Sequence, residues 1–419
     1  MEKRYQQLVG ESLNANDALS SGLRPLPTEL TSFASTQAAW RFYKNDSVTL
    51  KKLQEPLLQA AHDNSATHCK YYALIIHDWS RLNYRNHESK RDKYPISHKT
   101  DVGYDLQSSL LISDKTGLPL APVAQRLVTA NGSYASYGNN GLDENVAGHL
   151  DEATTCIHYL QQQAFAKPLV HIIDREADSI RHIRQWQEKD YLWLIRAKDH
   201  TTVTFEAQTQ TCLQIANSLT FNKIREVSHH GKPQWQWVAE VSITLTRDAH
   251  VRKNQKRTTV AGKPVEARLV VSRVMSDTGE ILAQWLLITN VKAVEASEIA
   301  LWYYWRWKIE SFFKLLKSAG HHLESWQQET GLAIAKRLLV VGMACVLAWE
   351  IAAAKSDEAR SFRAFLIKLS GRQMRWGVEF TNPALLAGLW VYLSMLEVMD
   401  SYSPEELVVL RKTAKTFFG

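Results

Sequence analysis

The sequence predicts a mixed α/β fold, and three observations support this. Two apolar runs rich in β-branched residues, ALIIHD and LVHIID, end at Asp78 and Asp174 and are typical of buried strands that place an Asp at their carboxyl end. Helical segments accompany these runs, near residues 149–166 and from Ser179 onwards. Residues 197–284 instead alternate apolar and polar side chains with a period of two, which predicts further strands separated by turns.

Five segments follow one another along the 419 residues. Residues 1–68 are polar and predicted to be helical, and residues 69–196 mix strands with helices, including hairpin strands in SSLLISDKT and LPLAPVAQRL. Residues 197–284 are predicted to form a β-rich insertion, because the interval from Asp174 to Glu310 is too long for a direct connection. A last strand and a helix occupy residues 285–330, and residues 331–419 are predicted to be helical. A chain of 419 residues is long enough for two or three structural units.

Four polar residues in WYYWRWKIESFFKLLK are spaced as on one face of an α-helix. Tyr303, Arg306, Glu310 and Lys317 fall within an arc of about 60° at about 100° per residue. The opposite side is predicted to be buried and carries Leu301, Trp305, Ile309, Phe312, Leu315 and Leu316. A carboxylate flanked by Arg and Lys can bind a divalent metal while the two cations hold phosphates. The alternative interpretation is an exposed helix whose charged side chains form ordinary ion pairs.

The acidic residues predict an oxygen-rich metal site. Asp78 and Asp174 are expected at the carboxyl edge of a sheet, where open α/β proteins bind ligands, and Glu310 lies on the helix. Such a set suits Mg²⁺ or Mn²⁺, although either Asp could instead be a helix N-cap or a turn residue. Zinc is disfavoured because the four cysteines are scattered, at Cys69, Cys156, Cys212 and Cys345.

Charge and hydropathy restrict the partners. A net charge of +7 and a pI near 9.0 suit a polyanion but favour DNA only weakly. A basic segment at residues 247–257 includes Arg252 and Lys253, which are candidate DNA contacts, and a solvated hairpin tip is an equally good interpretation of this segment. The longest apolar stretch, Leu338–Trp349, is shorter than the roughly 20 residues that span a bilayer, so no membrane partner is expected. No secretory signal is visible at the start, and unpaired cysteines agree with a cytoplasmic location.

These motifs together identify a resemblance. The chain resembles the DDE transposases of bacterial insertion sequences, specifically the insertion-sequence-four family with the signature Tyr-x2-Arg-x3-Glu-x6-Lys. The spacing of the four polar residues on the predicted helix matches that signature without departure. The resemblance covers roughly residues 30–350 and extends to TQAAWRFYKN, DREADS, LIRAKDH and WLLIT. It weakens before Asp78, where the chain is shorter, and after about residue 350.

The resemblance implies a ribonuclease H-like catalytic core in two parts, residues 69–196 and 285–330, with Asp78, Asp174 and Glu310 as the catalytic and metal-binding triad. Two Mg²⁺ or Mn²⁺ ions are expected, with Asp78 bridging both. The implied activity is cut-and-paste transposition, in which hydrolysis frees a 3′ hydroxyl that closes a hairpin at the transposon end before strand transfer into target DNA. A homodimer in a synaptic complex is implied, with residues 331–419 as one candidate interface, in a bacterial cytoplasm.

The resemblance also implies contacts with double-stranded DNA at terminal inverted repeats. Trp285 is the expected stacking partner of a flipped base, although a Trp in an apolar strand is more often core. The phosphate next to that base is expected to be held by Tyr303, Arg306, Lys317, Arg196 and, more weakly, Lys198. Residues 1–68 are expected to grip the transposon end through Trp40, Arg41, Phe42, Tyr43 and Lys44.

Two other functions fit the same residues. A structure-specific ribonuclease H-like endonuclease without strand transfer needs only the three acids. A catalytically inactive DNA-binding derivative is the third hypothesis, and the presence of all three acids counts against it.

Overall fold

A computed structural model describes residues 1–13, 29–98, 100–138, 141–253 and 256–418 of the chain. The amino-terminal region is helical, with α1 (Glu2–Leu13), α2 (Glu29–Lys44) and α3 (Leu50–His68). Thr49 caps α3 by accepting a hydrogen bond from the Lys52 amide at 3.3 Å. The apolar face of α3, which includes Leu53 and Leu57, is buried.

The segment that follows contains the first seven strands. They are β1 (Ala73–Asn83), β2 (Tyr94–Pro95), β3 (Val102–Ser113), β4 (Pro119–Thr129), β5 (Gly132–Ala135), β6 (Leu169–Ile173) and β7 (Leu192–Arg196). Helix α4 (His149–Gln161) precedes β6, and α5 (Ile180–Gln187) lies between β6 and β7. Strands β1, β6 and β7 are parallel to one another, whereas β3 and β4 run antiparallel to their neighbours.

Strand β1 is longer than the sequence predicts, because it continues past Asp78 to Asn83. Its parallel pairing with β6 ends at His77, whereas its antiparallel pairing with β3 continues to Asn83. Beyond His77 the strand therefore has a neighbour on one side only, and polar residues there are partly exposed. The apolar run marks the part of the strand that is paired on both sides, not the whole strand.

The second half of the sheet follows β7 in the chain. It contains β8 (Thr202–Phe205), β9 (Gln208–Thr211), α6 (Cys212–Ser218), β10 (Asn222–His229), β11 (Lys232–Leu245), β12 (Ala249–Lys253), β13 (Lys256–Val260), β14 (Val265–Met275) and β15 (Ile281–Thr289). Strand β15 pairs with β7, so the main order is β5-β4-β3-β1-β6-β7-β15-β14-β11-β8-β9. The β-rich segment thus extends the same sheet, and within the described residues only β12 and β13 form a separate hairpin.

The carboxyl-terminal third is helical. Its helices are α7 (Ala296–Tyr304), α8 (Trp307–Lys314), α9 (Gly331–Ala353), α10 (Asp357–Leu369), α11 (Asn382–Ser401) and α12 (Pro404–Phe418). By length and composition alone, α9 and α11 could each cross a membrane. Helix α9 is longer than the apolar stretch Leu338–Trp349 that predicts it, and most of it is buried against α1, α3 and β4, which is the packing of a core helix.

Candidate active site

Asp78 and Asp174 lie beside each other at the edge of the parallel strands. The register pairs His77 of β1 with Ile173 of β6, so the next residue of each chain segment is an Asp. Asp174 follows β6 directly and caps a short 3₁₀ turn, Arg175–Ala177, by accepting a hydrogen bond from the Arg175 amide at 2.7 Å. Parallel pairing therefore brings together two acids that are far apart in the sequence.

The guanidinium of Arg306 lies among all three predicted acids. Its Nη1 donates to Asp78 Oδ2 at 2.7 Å, and its Nη2 lies 3.6 Å from Asp174 Oδ2 and 3.8 Å from Glu310 Oε1. The Arg306 side chain is 6% exposed, compared with 47% for Glu310. Asp78, Asp174 and Glu310 thus face one cationic centre that opens to solvent on the Glu310 side.

The predicted continuous helix is wrong in two places. Helix α7 ends at Tyr304 and α8 begins at Trp307, because amides 306, 308 and 309 donate to the third residue before them rather than the fourth. A π-helical turn, Leu315–Ala319, follows α8. The tighter turn directs Arg306 towards the carboxylates, and the wider turn changes the direction of Lys317. The four polar residues therefore do not share one exposed face.

Tyr303, Arg196 and Lys317 contact protein groups around the acids. Tyr303 is buried and donates to Asp174 Oδ1 at 2.9 Å, and Arg196 Nη1 lies 3.8 Å from the same oxygen. Lys317 Nζ donates to the carbonyl of Arg81 and lies 3.5 Å from a Glu324 carboxylate oxygen. The structure thus brings Tyr303, Arg306 and Glu310 together at the acids and directs Tyr303 and Arg306 to the carboxylates, not outwards, whereas Lys317 contacts Arg81 and Glu324.

Burial and neighbouring charges give the two Asp side chains opposite pKa shifts. Burial raises the pKa of Asp78 to about 6, although the Arg306 guanidinium opposes that rise. Burial also acts to raise the pKa of Asp174, but Arg306, the Arg175 amide and the Tyr303 hydroxyl together hold it below its ordinary value. Near neutral pH, Asp174 is ionised and Asp78 is close to its titration range.

The donor chemistry of the three acids fits a hard divalent cation, since carboxylate oxygens are the ligands that Mg²⁺ and Mn²⁺ prefer. Their arrangement is centred on the Arg306 guanidinium. Across the described part of the chain, no three His, Cys, Asp or Glu side chains are already arranged to hold a metal ion. Asp78, Asp174 and Glu310 would hold a divalent ion only after Arg306 withdraws from between them.

Trp285 lies near the site in an aromatic pocket. Its side chain is partly buried and lines a pocket of about 500 Å³ together with Tyr304, Trp305, Trp307 and Lys308. The tip of the β10–β11 hairpin forms the opposite wall. Trp285 is therefore neither wholly core nor wholly exposed, and its ring borders a space that is open to solvent.

The remaining predicted DNA contacts differ in exposure. Lys198 is exposed, as are Trp40 and Lys44, whose ammonium lies 3.8 Å from the Trp40 ring centroid. Arg41 is exposed and its guanidinium lies 3.4 Å from the Gln37 side-chain oxygen. The prediction for Phe42 and Tyr43 is wrong, because both rings are buried in the core and cannot meet DNA. Arg252 and Lys253 lie on β12, and their side chains are outside the described residues.

The sequence analysis missed a stacked pair next to the acids. Trp79 follows Asp78, and its ring stacks on His149 with centroids 4.7 Å apart. His149 Nε2 lies 2.9 Å from Asp105 Oδ2, and its Nδ1 lies 2.9 Å from Glu176 Oε1. These two hydrogen bonds raise the pKa of His149 to about 9. No local spacing links these residues, because they come from four separate segments of the chain.

An α/β protein with carboxylates gathered at the edge of its parallel strands belongs to a large class that binds ligands at that edge. Comparison with protein families is more specific, since the family described as "Transposase DDE domain" matches residues 72–347. This match covers more than half of the chain, and the chain therefore belongs to the DDE transposase domain family.

The chain also has a distant similarity to a solved structure. A solved structure described as "piggyBac transposase synaptic complex with hairpin DNA" matches with a TM-score of 0.32 and 8% identity, over 80% of this chain and 55% of that one. The chain thus spans about half the length of that protein, and a likeness at this level carries no functional argument. Among curated proteins, none matches the chain.

Proposed function

We propose that the chain is a metal-dependent DNA transposase of the insertion-sequence-four type, which cuts DNA at transposon ends and joins the freed 3′ end to new DNA. The observation that carries the proposal is the convergence of Asp78, Asp174 and Glu310 on one guanidinium at the edge of the parallel strands. Membership of the DDE transposase domain family supports it. The order β4-β3-β1-β6-β7, with three parallel and two antiparallel strands, supports a ribonuclease H-like core.

The three acids would hold two divalent ions, Mg²⁺ or Mn²⁺. When bound, such ions lower the pKa of an attacking water and stabilise the charge that develops on the leaving 3′ oxygen. Asp174 is suited to binding a cation at neutral pH because its neighbours favour the ionised carboxylate. Glu310 is the most exposed of the three and lies where DNA would approach.

Arg306 has a second role in this proposal. Its guanidinium balances three carboxylates in the protein alone, and a DNA phosphate offers it an alternative bidentate partner. Transfer of Arg306 from the acids to a phosphate would free carboxylate oxygens and hold the DNA strand in one movement. Tyr303 and Arg196 contact Asp174 and would keep that carboxylate oriented during the exchange.

The aromatic pocket would receive an unstacked base. Closing a hairpin bends DNA sharply, and a base that leaves the stack needs an aromatic partner. Trp285, Trp305 and Trp307 line a pocket of about 500 Å³ that a base could enter, with Lys308 at its wall. The presence of this pocket favours a reaction in which the transposon end closes into a hairpin over a reaction that only hydrolyses the DNA strand.

The test is a cleavage assay with a labelled duplex that carries the element's terminal inverted repeat, in Mg²⁺ or Mn²⁺. We expect nicks, hairpins and joined products from the unmodified protein, and none from Asp174→Ala, which should still shift the duplex in a gel. Asp277→Ala removes an exposed acid outside the site and is the matched control. Nicks without hairpins or joined products would identify an endonuclease instead, and substantial nicking by Asp174→Ala would refute the triad assignment.

A bacterial cytoplasmic location and a homodimer that synapses two transposon ends complete the proposal. Two ends must be held together for cut-and-paste insertion, which requires two active sites. The exposed apolar residues of α11 and α12, such as Met399 and Val409, support a role of the carboxyl-terminal helices in that contact. Sedimentation of the protein with and without transposon-end DNA tests it, and a monomer in both conditions would contradict it.

A further inference from the structure

A groove that combines apolar and cationic side chains lies beside α8. Its volume is about 510 Å³, and it lies between α8 and the start of α11. Lys308 and Lys314 line it from α8, and Arg372 lines it from the loop after α10. Among the described residues, no acidic side chain lines this groove and no carboxylate forms an ion pair with these three cations.

The loop at residues 370–381 adds a further cation and an aromatic ring. Arg375 and Trp376 are exposed, and the Trp376 ring lies wholly in solvent. The acid of this loop, Glu379, lies 3.2 Å from Arg363 and is neutralised by it. The free face of the loop therefore presents arginine and tryptophan together, a combination that suits stacked bases and phosphates.

The groove is next to the aromatic pocket beside the acids. Lys308 and Ser311 line both, so the two spaces meet on one face of α8. Arg375 lies close to the tip of the β10–β11 hairpin, because a Cβ at Gly231 would lie 3.8 Å from its Nη1. Trp307 is 53% exposed, lines the aromatic pocket and lies three residues before Glu310 on α8.

We propose that this groove, through Lys308, Lys314 and Arg372, acts together with Arg375 and Trp376 of the adjacent loop to bind a DNA strand with unpaired bases that leads away from the carboxylate site. The inference rests on the proposed function, because it assumes that DNA occupies that site. A single strand is favoured over a duplex, since stacking on an exposed ring requires a base whose face is not already covered. The four cations would follow the phosphates of that strand.

The test measures binding of fluorescently labelled dT15 and of a 15-base-pair duplex to the full chain in EDTA, across a range of salt concentrations. Trp376→Ala should weaken dT15 binding about 5- to 100-fold through the loss of stacking. The double variant Arg372→Gln/Arg375→Gln should lower the slope of log affinity against log salt by about 1.4, corresponding to two lost phosphate contacts. Lys189→Gln and Tyr71→Ala change exposed residues outside the groove and should bind dT15 as the unmodified protein does.

Three results would overturn the inference. The first is dT15 binding by both groove variants with unchanged affinity and salt slope. The second is an equal loss of dT15 and duplex binding, which would show a general basic surface in place of a single-strand groove. The third is no binding of dT15 by the unmodified protein. Cleavage of the labelled transposon end is measured separately, so the proposed function can fail or succeed independently of these binding results.

Discussion

Replacing Arg306 with Gln removes the cation that three carboxylates share. The Arg306 side chain is 6% exposed and its closest partner, Asp78, is 18% exposed, and breaking such a buried pair costs about 3–5 kcal/mol. The pairs with Asp174 and Glu310 are longer and more exposed, so each contributes less than about 1 kcal/mol. Asp78 can take up a proton once Arg306 is absent, which limits the loss. We therefore expect a decrease in unfolding free energy of about 3 kcal/mol at pH 7.5.

The pH dependence has a defined direction. Asp78 is ionised above about pH 6 and neutral below it, so its ion pair with Arg306 exists only above that pH. The difference in stability between the unmodified protein and Arg306→Gln should therefore be largest above pH 7 and should decrease as the pH falls towards 5. Added Mg²⁺ should stabilise Arg306→Gln more than the unmodified protein, because the guanidinium no longer competes for the carboxylates.

Urea unfolding followed by circular dichroism in EDTA, and then in Mg²⁺, measures both effects. Arg360→Gln is the matched control, because Arg360 is 60% exposed and pairs at 2.6 Å with Asp357, which is 88% exposed. That substitution should change stability by less than about 0.5 kcal/mol at every pH. A loss of less than about 1 kcal/mol for Arg306→Gln in EDTA at pH 7.5 would refute the reasoning, since it would mean that the three acids need no internal cation.

Three other predictions concern single contacts. His149→Gln should lower the unfolding free energy most below pH 6.5. The loss should decrease as the pH rises through about 9, where the raised pKa of His149 lies, and equal losses at pH 6 and pH 10 would contradict this. Gly388→Ala should lower the unfolding free energy by about 1–3 kcal/mol, because the added Cβ would lie 1.9 Å from the Leu366 carbonyl oxygen. An unchanged melting temperature would count against this packing. Tyr303→Phe should lower the unfolding free energy by about 0.5–1.5 kcal/mol and raise the pKa of Asp174, because it removes the hydrogen bond to that carboxylate. The acid limb of the pH profile of DNA cleavage should then move to higher pH, and an unshifted limb would disprove this prediction.

The sequence was informative where local chemistry and strand pairing agree. Apolar β-branched runs predicted the doubly paired parts of β1 and β6, and their ends predicted Asp78 and Asp174 as neighbours, because parallel strands end together. The spacing in the helix placed Glu310 on the side of Arg306, and the structure has both at the same centre. These features depend on a few residues at fixed intervals, which a sequence records directly.

Other features depend on tertiary packing, which the spacing of residues along the chain does not reveal. An average helical period could not reveal the tight turn before Trp307 or the π-helical turn at Leu315–Ala319, so the directions of Arg306 and Lys317 were not predictable. The aromatic and basic run near the start could not show that Phe42 and Tyr43 face the core. The extension of the sheet through the pairing of β15 with β7 joins strands far apart in the chain.

The long separation of the three acids has a consequence for synthesis on the ribosome. Asp78 and Asp174 can be paired as soon as β1 and β6 have emerged, but Arg306 and Glu310 are translated only after the whole second half of the sheet. A nascent chain therefore carries these two adjacent acids without Arg306 for the time needed to make more than a hundred residues. A translation product that is interrupted before Arg306 would lack both Arg306 and Glu310, and therefore one half of the charge balance at this site.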